Sequence, residues 1–281
     1  MGDYFFKTND GVNLHYIQEG TNGEPLVIVH GWRSEAAEYC HNILPLSKKF
    51  KVYLLEHRGH GQSDKPDHGF RLSRLAMDLN EFLQSLPYEK VNIMAHSMGC
   101  LVTYNYIDLF GQDRINKLIL IDAPTFCAVV PGESEEERKS HGGSFENIWR
   151  LYSALNTSFE EGNKEFDAQS PVPPNDLSAQ SLYYQKSQQL PRAQLNNRFH
   201  ASLLLSIATN DCRDIVKRIT VKTMYIFGET SRCTYPELAK WMVDHIQDCT
   251  LLTFSREEYG RHSMFCANPV KFNQEVTNFL L

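Results

Sequence analysis

Five residues, Ala95-His96-Ser97-Met98-Gly99, constrain this chain more than any other stretch. They follow the apolar run Val91–Met94 and precede a helix-like stretch, Cys100–Tyr106. A serine with small residues two positions before and two after it, between a strand and a helix, describes a nucleophile elbow. The turn is too tight for larger side chains at those positions, and it lifts the hydroxyl clear of the backbone at a helix N-terminus. Alanine stands at 95 where glycine is usual, and its single methyl keeps the position small.

The flanking chain supplies the strands and helices that such a turn needs. Tyr4–Thr8 and Val12–Gln18 are strand-like runs around Asn9-Asp10-Gly11, a hairpin signal. Pro25–His30 reads as a buried strand ended by Gly31, residues 35–48 as a helix, and Lys51–Glu56 as a further strand running into the loop Arg58–Pro66. Over 72–86, Leu72, Leu75, Leu79, Phe82 and Leu83 fall near helical spacing, and Lys117–Asp122 reads as the strand after the serine turn. Strands alternating with helices imply a parallel sheet with right-handed crossovers and helices on both faces. The alternation breaks after Asp122. Helix-like pieces at Phe145–Leu155, Leu177–Gln189 and Leu195–Ala208 surround a proline-rich link, Ser170–Pro174. It resumes with strand Val221–Gly228, a helix at 235–247, strand Thr250–Phe254 and a helix at 268–281. The expectation is an α/β core domain, 1–122 and 211–281, with a mostly helical cap inserted at 123–210.

Composition narrows the function classes. The 281 residues are 42% hydrophobic and 22% charged with a formal charge of −6, ordinary for a globular protein and unlike the basic surface of a nucleic-acid binder. The acidic cluster 133–137 is followed at once by Arg138 and Lys139 and reads as a solvated loop or helix start. No apolar run reaches the length of a membrane span, and the first residues lack a secretory h-region or a myristoylation pattern. Seven scattered cysteines without a CxxC pair read as reduced thiols, the usage of a cytoplasmic protein. With no phosphate-cradling loop or metal-ligand spacing, no cofactor is expected; the partner is a small-molecule substrate, and oligomeric state is not legible.

A serine hydroxyl is a poor nucleophile until a base takes its proton, and the base is usually a histidine oriented by a carboxylate. On a strand–turn–helix scaffold the chain order is Ser, acid, His. His262, in the loop between the last strand and last helix, fits the base. His96 reads as packing beside the turn, and His57 and His60 as parts of a structural loop. The oxyanion needs backbone N–H donors: that of Met98, which follows the serine, and a second in the loop after the 25–30 strand, where Trp32 is the candidate.

His-Gly-Trp at 30–32, Arg-Gly-His-Gly-Gln-Ser at 58–63, the Ser97 turn and the late His262 together resemble the α/β-hydrolase superfamily. The resemblance implies an eight-stranded, mostly parallel sheet flanked by helices, with a helical lid. It also marks a departure. Many members carry Gly-x-x-Asp after the penultimate strand, and here that stretch is Gly228-Glu229-Thr230-Ser231. Asp122, at the preceding strand end where some branches place the acid, is the favoured replacement, and Glu229 is the alternative. The implied activity is a Ser97–His262–Asp122 serine hydrolase acting on a small carboxylic ester, lactone or thioester. Trp149, Leu151, Tyr152, Phe159, Tyr183 and Tyr184 in the cap suggest a hydrophobic or aromatic substrate. The alternative is a cofactor-independent dioxygenase of a 3-hydroxy-4-quinolone type, which shares the Gly-Trp and the early Asp. A non-catalytic receptor is a third reading, disfavoured by the intact residue set. Dehalogenase or epoxide-hydrolase chemistry is disfavoured because both place Asp where Ser97 stands.

Overall fold

The computed structural model describes residues 2–127, 134–139, 145–169, 180–189 and 197–281. Strands β1 (Gly2–Lys7) and β2 (Asn13–Glu19) form the expected hairpin, with Thr8 N–H donating to Val12 O at 2.9 Å across the turn. β3 (Pro25–Val29) leads through a 3-10 turn (Ala36–Tyr39) and α1 (Ile43–Ser47) to β4 (Lys51–Leu55). Then come α2 (Leu72–Ser85), β5 (Val91–His96), α3 (Met98–Phe110) and β6 (Ile115–Ile121). Between β6 and the next strand lie α4 (Glu135–Arg138), α5 (Phe145–Thr157), α6 (Phe159–Gln169), α7 (Leu182–Gln188), α8 (Asn197–Thr209) and α9 (Arg213–Val216). The chain closes with β7 (Lys222–Gly228), α10 (Pro236–His245), β8 (Cys249–Phe254), α11 (Met264–Ala267) and α12 (Pro269–Leu280).

All eight strands join one sheet in the order β1-β2-β4-β3-β5-β6-β7-β8. β2 is antiparallel to β1 and to β4, and every other pairing is parallel. Side chains alternate across the central strands. Val27, Val29, Ile93, Ala95, Leu118, Leu120 and Tyr225 pack on one face against α2, α3 and α10 residues. Leu26, Ile28, Met94, Ile119, Ile121 and Ile226 pack on the other with Tyr39, Leu46, Phe265 and Phe272. This period-two division of an almost wholly apolar run is what a strand buried on both faces requires. Because β3 lies between β4 and β5, the chain reverses its direction of travel across the sheet there, and the crevice at the carboxyl ends of these strands is where open α/β sheets bind ligands.

Two expectations need correction. The helix expected over 35–48 is two short pieces: Pro45 sits in the first turn of α1, where no N–H is needed, but in one continuous helix it would have none to return to the carbonyl of His41. Asn42 at the break donates from Nδ2 to Phe265 O (3.0 Å) and Asn273 Oδ1 (2.9 Å), tying this segment to the C-terminal helices. Between β6 and β7 the described residues are helical as expected, but α6 was not anticipated, since Glu160, Glu161, Lys164 and Glu165 dilute its apolar spacing. The proline-rich link and residues 177–179 and 195–196 lie outside the described residues.

Candidate active site

β5 ends at His96, and Ser97 takes φ 54° and ψ −121° before α3 begins at Met98. That conformation is disfavoured for a residue with a Cβ and costs about 1–3 kcal/mol, which the packed sheet and helix hold in place. A Cβ on Gly99 would lie 2.2 Å from Val29 O and 2.7 Å from His30 O, so α3 can start this close to β3 only with glycine there. Ser97 N–H donates to Ile121 O at 3.0 Å, which fastens the turn to the end of β6.

The next residue after that carbonyl is Asp122. It is fully buried, has φ 48°, and its N–H donates to Ile226 O on β7 at 2.8 Å. Its carboxylate is ringed by donors: Thr234 Oγ1 to Oδ1, and Ser231 Oγ and His262 Nδ1 to Oδ2. His262 arrives from the loop between β8 and α11, and its carbonyl accepts a hydrogen bond from His96 Nε2 at 2.9 Å, with the two rings 4.5 Å apart. Burial opposes a charge on His262, but Cys233 and the Asp122 carboxylate outweigh it and hold its pKa well above the ordinary histidine value. With Nδ1 on the carboxylate, Nε2 is the nitrogen left to exchange a proton with a substrate-side group. Ser97 Oγ makes no hydrogen bond among the described residues.

Glu229 turns elsewhere. It is exposed, and its carboxylate accepts Arg256 N–H at 2.9 Å. Ser231, which stands where a later acid would be expected, donates to Asp122 instead and also accepts Cys233 N–H at 3.1 Å. Cys233, Asp122 and His262 offer ligand atoms that all lie within 4.8 Å of one another, so this corner is also the place where the described residues could hold a metal ion.

The loop after β3 passes Gly31, where a Cβ would lie 3.1 Å from His96 Nδ1 and 3.2 Å from Ser97 Cβ. Trp32 N–H has no partner among the described residues, and Met98, as the first residue of α3, has an N–H that the helix itself cannot satisfy. Both donors named from the sequence are therefore open. Arg33 follows with φ 56°, and its N–H donates to His60 Nε2 at 3.2 Å. Since that ring nitrogen is an acceptor, His60 is the Nδ1–H tautomer, and it donates to Arg58 O at 3.1 Å. His30 is held the same way, accepting His57 N–H on Nε2 at 3.0 Å and donating from Nδ1 to Gly31 O at 2.8 Å. Burial pushes the pKa values of His30, His57 and His60 below the ordinary range and that of His200 down to about 3. His57 and His60 belong to a structural loop, as expected, and that loop anchors the backbone next to Trp32.

The helices after β6 meet this loop. Trp32 Nε1–H donates to His200 O on α8 at 3.0 Å, and Arg33 reaches Asn163 Oδ1 on α6 at 2.8 Å. Of the apolar residues singled out there, Leu151 is buried and Tyr152 packs against the core, Tyr184 packs on the opposite core face, and Trp149, Phe159 and Tyr183 are exposed. The sequence reading has no role for Thr234 and Cys233, places His96 beside the turn without its bond to the His262 carbonyl, and takes Ser231 only as a departure from the expected acid. The missing aspartate at 231 was a signal that a hydroxyl there serves a carboxylate coming from elsewhere.

A sheet of this order, with a serine in a strained strand-to-helix turn and a late histidine on a carboxylate, defines an α/β-hydrolase fold. The chain belongs to that family: the α/β hydrolase fold profile matches residues 24–266. It is 25% identical to the AB hydrolase superfamily protein YisY of Bacillus subtilis over 99% of both chains. It is 34% identical to a soluble epoxide hydrolase of Corynebacterium over 44% of its own length, but spans 40% of that enzyme. An esterase from Exiguobacterium antarcticum superposes over 100% of this chain and 99% of its own with a TM-score of 0.81 at 24% identity, a likeness of fold. Among the described residues no helix is long and apolar enough to cross a membrane, and all seven cysteines are free thiols.

Proposed function

We propose that this protein is a serine hydrolase that cleaves a small, hydrophobic or aromatic carboxylic ester or lactone through Ser97, His262 and Asp122. Ser97 Oγ attacks the acyl carbon while His262 Nε2 takes its proton, and the imidazolium is stabilised through Nδ1–H by Asp122. The oxyanion is received by the N–H groups of Trp32 and Met98. His262 then returns the proton to the leaving alcohol. The same histidine activates the water that releases the acid from the acyl-enzyme.

The observation that carries this reading is the Asp122–His262 pair lying beside the strained Ser97 turn, with Glu229 engaged elsewhere. The esterase name of a structural neighbour agrees with it. Relatives named epoxide hydrolases bear on the alternative, but a carboxylate nucleophile can open an epoxide directly, whereas this chain carries a hydroxyl that needs a base. Helices α6 and α8, which meet the loop after β3 through Arg33 and Trp32, serve as the part of the lid that selects the substrate.

The test is turnover of p-nitrophenyl butyrate and labelling by a fluorophosphonate. Ser97→Ala is expected to abolish labelling and to lower kcat on the order of 10⁶-fold. Labelling that survives in Ser97→Ala overturns the nucleophile. Oxygen uptake with a 3-hydroxy-4-quinolone, in the absence of ester turnover, replaces the hydrolase reading with the ring-cleaving one.

A further inference from the structure

We propose that Asp122, Cys233 and His262 form a site for a thiophilic divalent cation, zinc, whose binding reversibly disables the base. In its inhibitory consequence this rests on the hydrolase reading above; the site itself rests on geometry alone. Thiolate, imidazole and carboxylate are the ligand types zinc takes, at about 2.3, 2.0–2.1 and 2.0–2.2 Å, which places them roughly 3.3–3.8 Å apart around a tetrahedral ion. The three ligand atoms here already lie within 4.8 Å of one another, so an ion needs small side-chain movements and no change of backbone.

The set is also organised before any ion arrives. Ser231 Oγ donates to Asp122 Oδ2 and accepts Cys233 N–H at 3.1 Å, so one hydroxyl ties the carboxylate to the backbone that carries the thiol. Thr234 holds the other carboxylate oxygen, and His96 holds the His262 carbonyl at 2.9 Å. Asp122 is buried while Cys233 and His262 are partly exposed, so an ion can approach from the solvent side.

Binding balances as follows. The cation takes Cys233 Sγ as thiolate, and the thiol proton leaves to solvent. It takes an Asp122 oxygen and His262 Nδ1, the nitrogen that faces that carboxylate. The single proton of the neutral ring moves from Nδ1 to Nε2. One 2+ ion, one thiolate and one carboxylate leave the site neutral. Nε2, now protonated, can no longer accept the Ser97 proton, so hydrolysis stops until the ion is removed.

The experiment uses the intact protein with Cd²⁺ as a spectroscopic probe and Zn²⁺ as the inhibitor. Wild type is expected to bind one Cd²⁺ with a thiolate-to-cadmium absorption band. Cys233→Ala and His262→Ala should each weaken that binding by more than the roughly 10–100-fold that loss of an outer partner costs. Cys249→Ala, which removes another partly exposed thiol, should retain it. Zinc should inhibit ester turnover, a chelator should restore it, and the half-inhibiting concentration in Cys233→Ala, measured against that variant's own metal-free rate, should rise by the same factor. Identical cadmium absorption in Cys233→Ala, or no bound cation in wild type, overturns the site. The band is read without substrate, so a cadmium site in a protein lacking esterase activity would overturn the hydrolase reading and leave the site standing. Ester turnover indifferent to zinc while the cadmium band is present would overturn the inhibition and leave the hydrolase reading standing.

Discussion

Two groups of histidines flank the serine turn, and although burial opposes a charge on both, their neighbours drive them in opposite directions. His30, His57 and His60, at the end of β3 and in the loop after β4, face carbonyls and backbone N–H groups, and desolvation drives their pKa values down. His262, across the turn, faces Asp122, and its pKa is raised. The first group is fixed in single neutral tautomers by backbone hydrogen bonds, so it can shape the loop after β3 but not shuttle protons. The second can gain and lose a proton because a buried carboxylate stabilises the charged form. What separates a structural histidine from a candidate base here is the company of Cys233 and the Asp122 carboxylate, not depth.

The largest effect that could break this contrast is on turnover. Asp122→Asn is expected to lower kcat on the order of 10⁴-fold, by analogy with serine proteases, while Glu229→Gln changes it little. Adding Ser231→Asp to Asp122→Asn should recover part of the loss, because Ser231 Oγ already touches the Asp122 carboxylate that orients His262. Equal, mild effects of both single changes would remove Asp122 from the triad.

A smaller effect sharpens the same point. Activity needs neutral His262, so kcat/KM should rise with pH along a limb lying above 6.5, the ordinary value from which its pKa is raised. A limb at or below 6.5 would mean the carboxylate does not govern the ring.

Folding stability should carry opposite signs for the two groups. His30, His57 and His60 titrate below 6.5 when folded, so the unfolded chain binds more protons as pH falls through 6.5 and stability is lost on that side. The loss grows as pH falls further below that value. His262 contributes stability below 6.5 that disappears as pH rises through its raised folded value. Denaturant midpoints followed against pH in wild type and His60→Gln, whose amide can still accept Arg33 N–H, separate the terms. The variant should lose less between neutral pH and about one unit below the histidine value.

The smallest predicted effect concerns the helical segment. Trp32→Phe removes the indole donor to His200 O and should cost about 0.5–1.5 kcal/mol in thermal or denaturant unfolding. A change within error would detach α8 from the loop after β3.

Much of the scaffold was legible because buried parallel strands write themselves as apolar runs and the elbow as small residues around a serine. Strands β3 to β8 fall within a few residues of their expected bounds. Boundaries failed where a local rule competed with periodicity, at Pro45, and where charge masked it, in α6. The candidate site was legible as chemistry: Ser97, His262, Met98 and Trp32 were named from residue type, chain order and loop position, while the acid stayed open between Asp122, favoured by the family resemblance, and Glu229.

Local sequence therefore determined which backbone could form, since spacing, small residues and proline act on neighbouring peptides through sterics that need no distant partner. Tertiary structure decided which carboxylate meets His262, that Ser231 and Thr234 cradle it, and that Cys233 lies in the same corner. Those contacts join residues more than a hundred positions apart, and only the register of β6 against β7 and the path of the loops beyond them bring such groups within bonding distance.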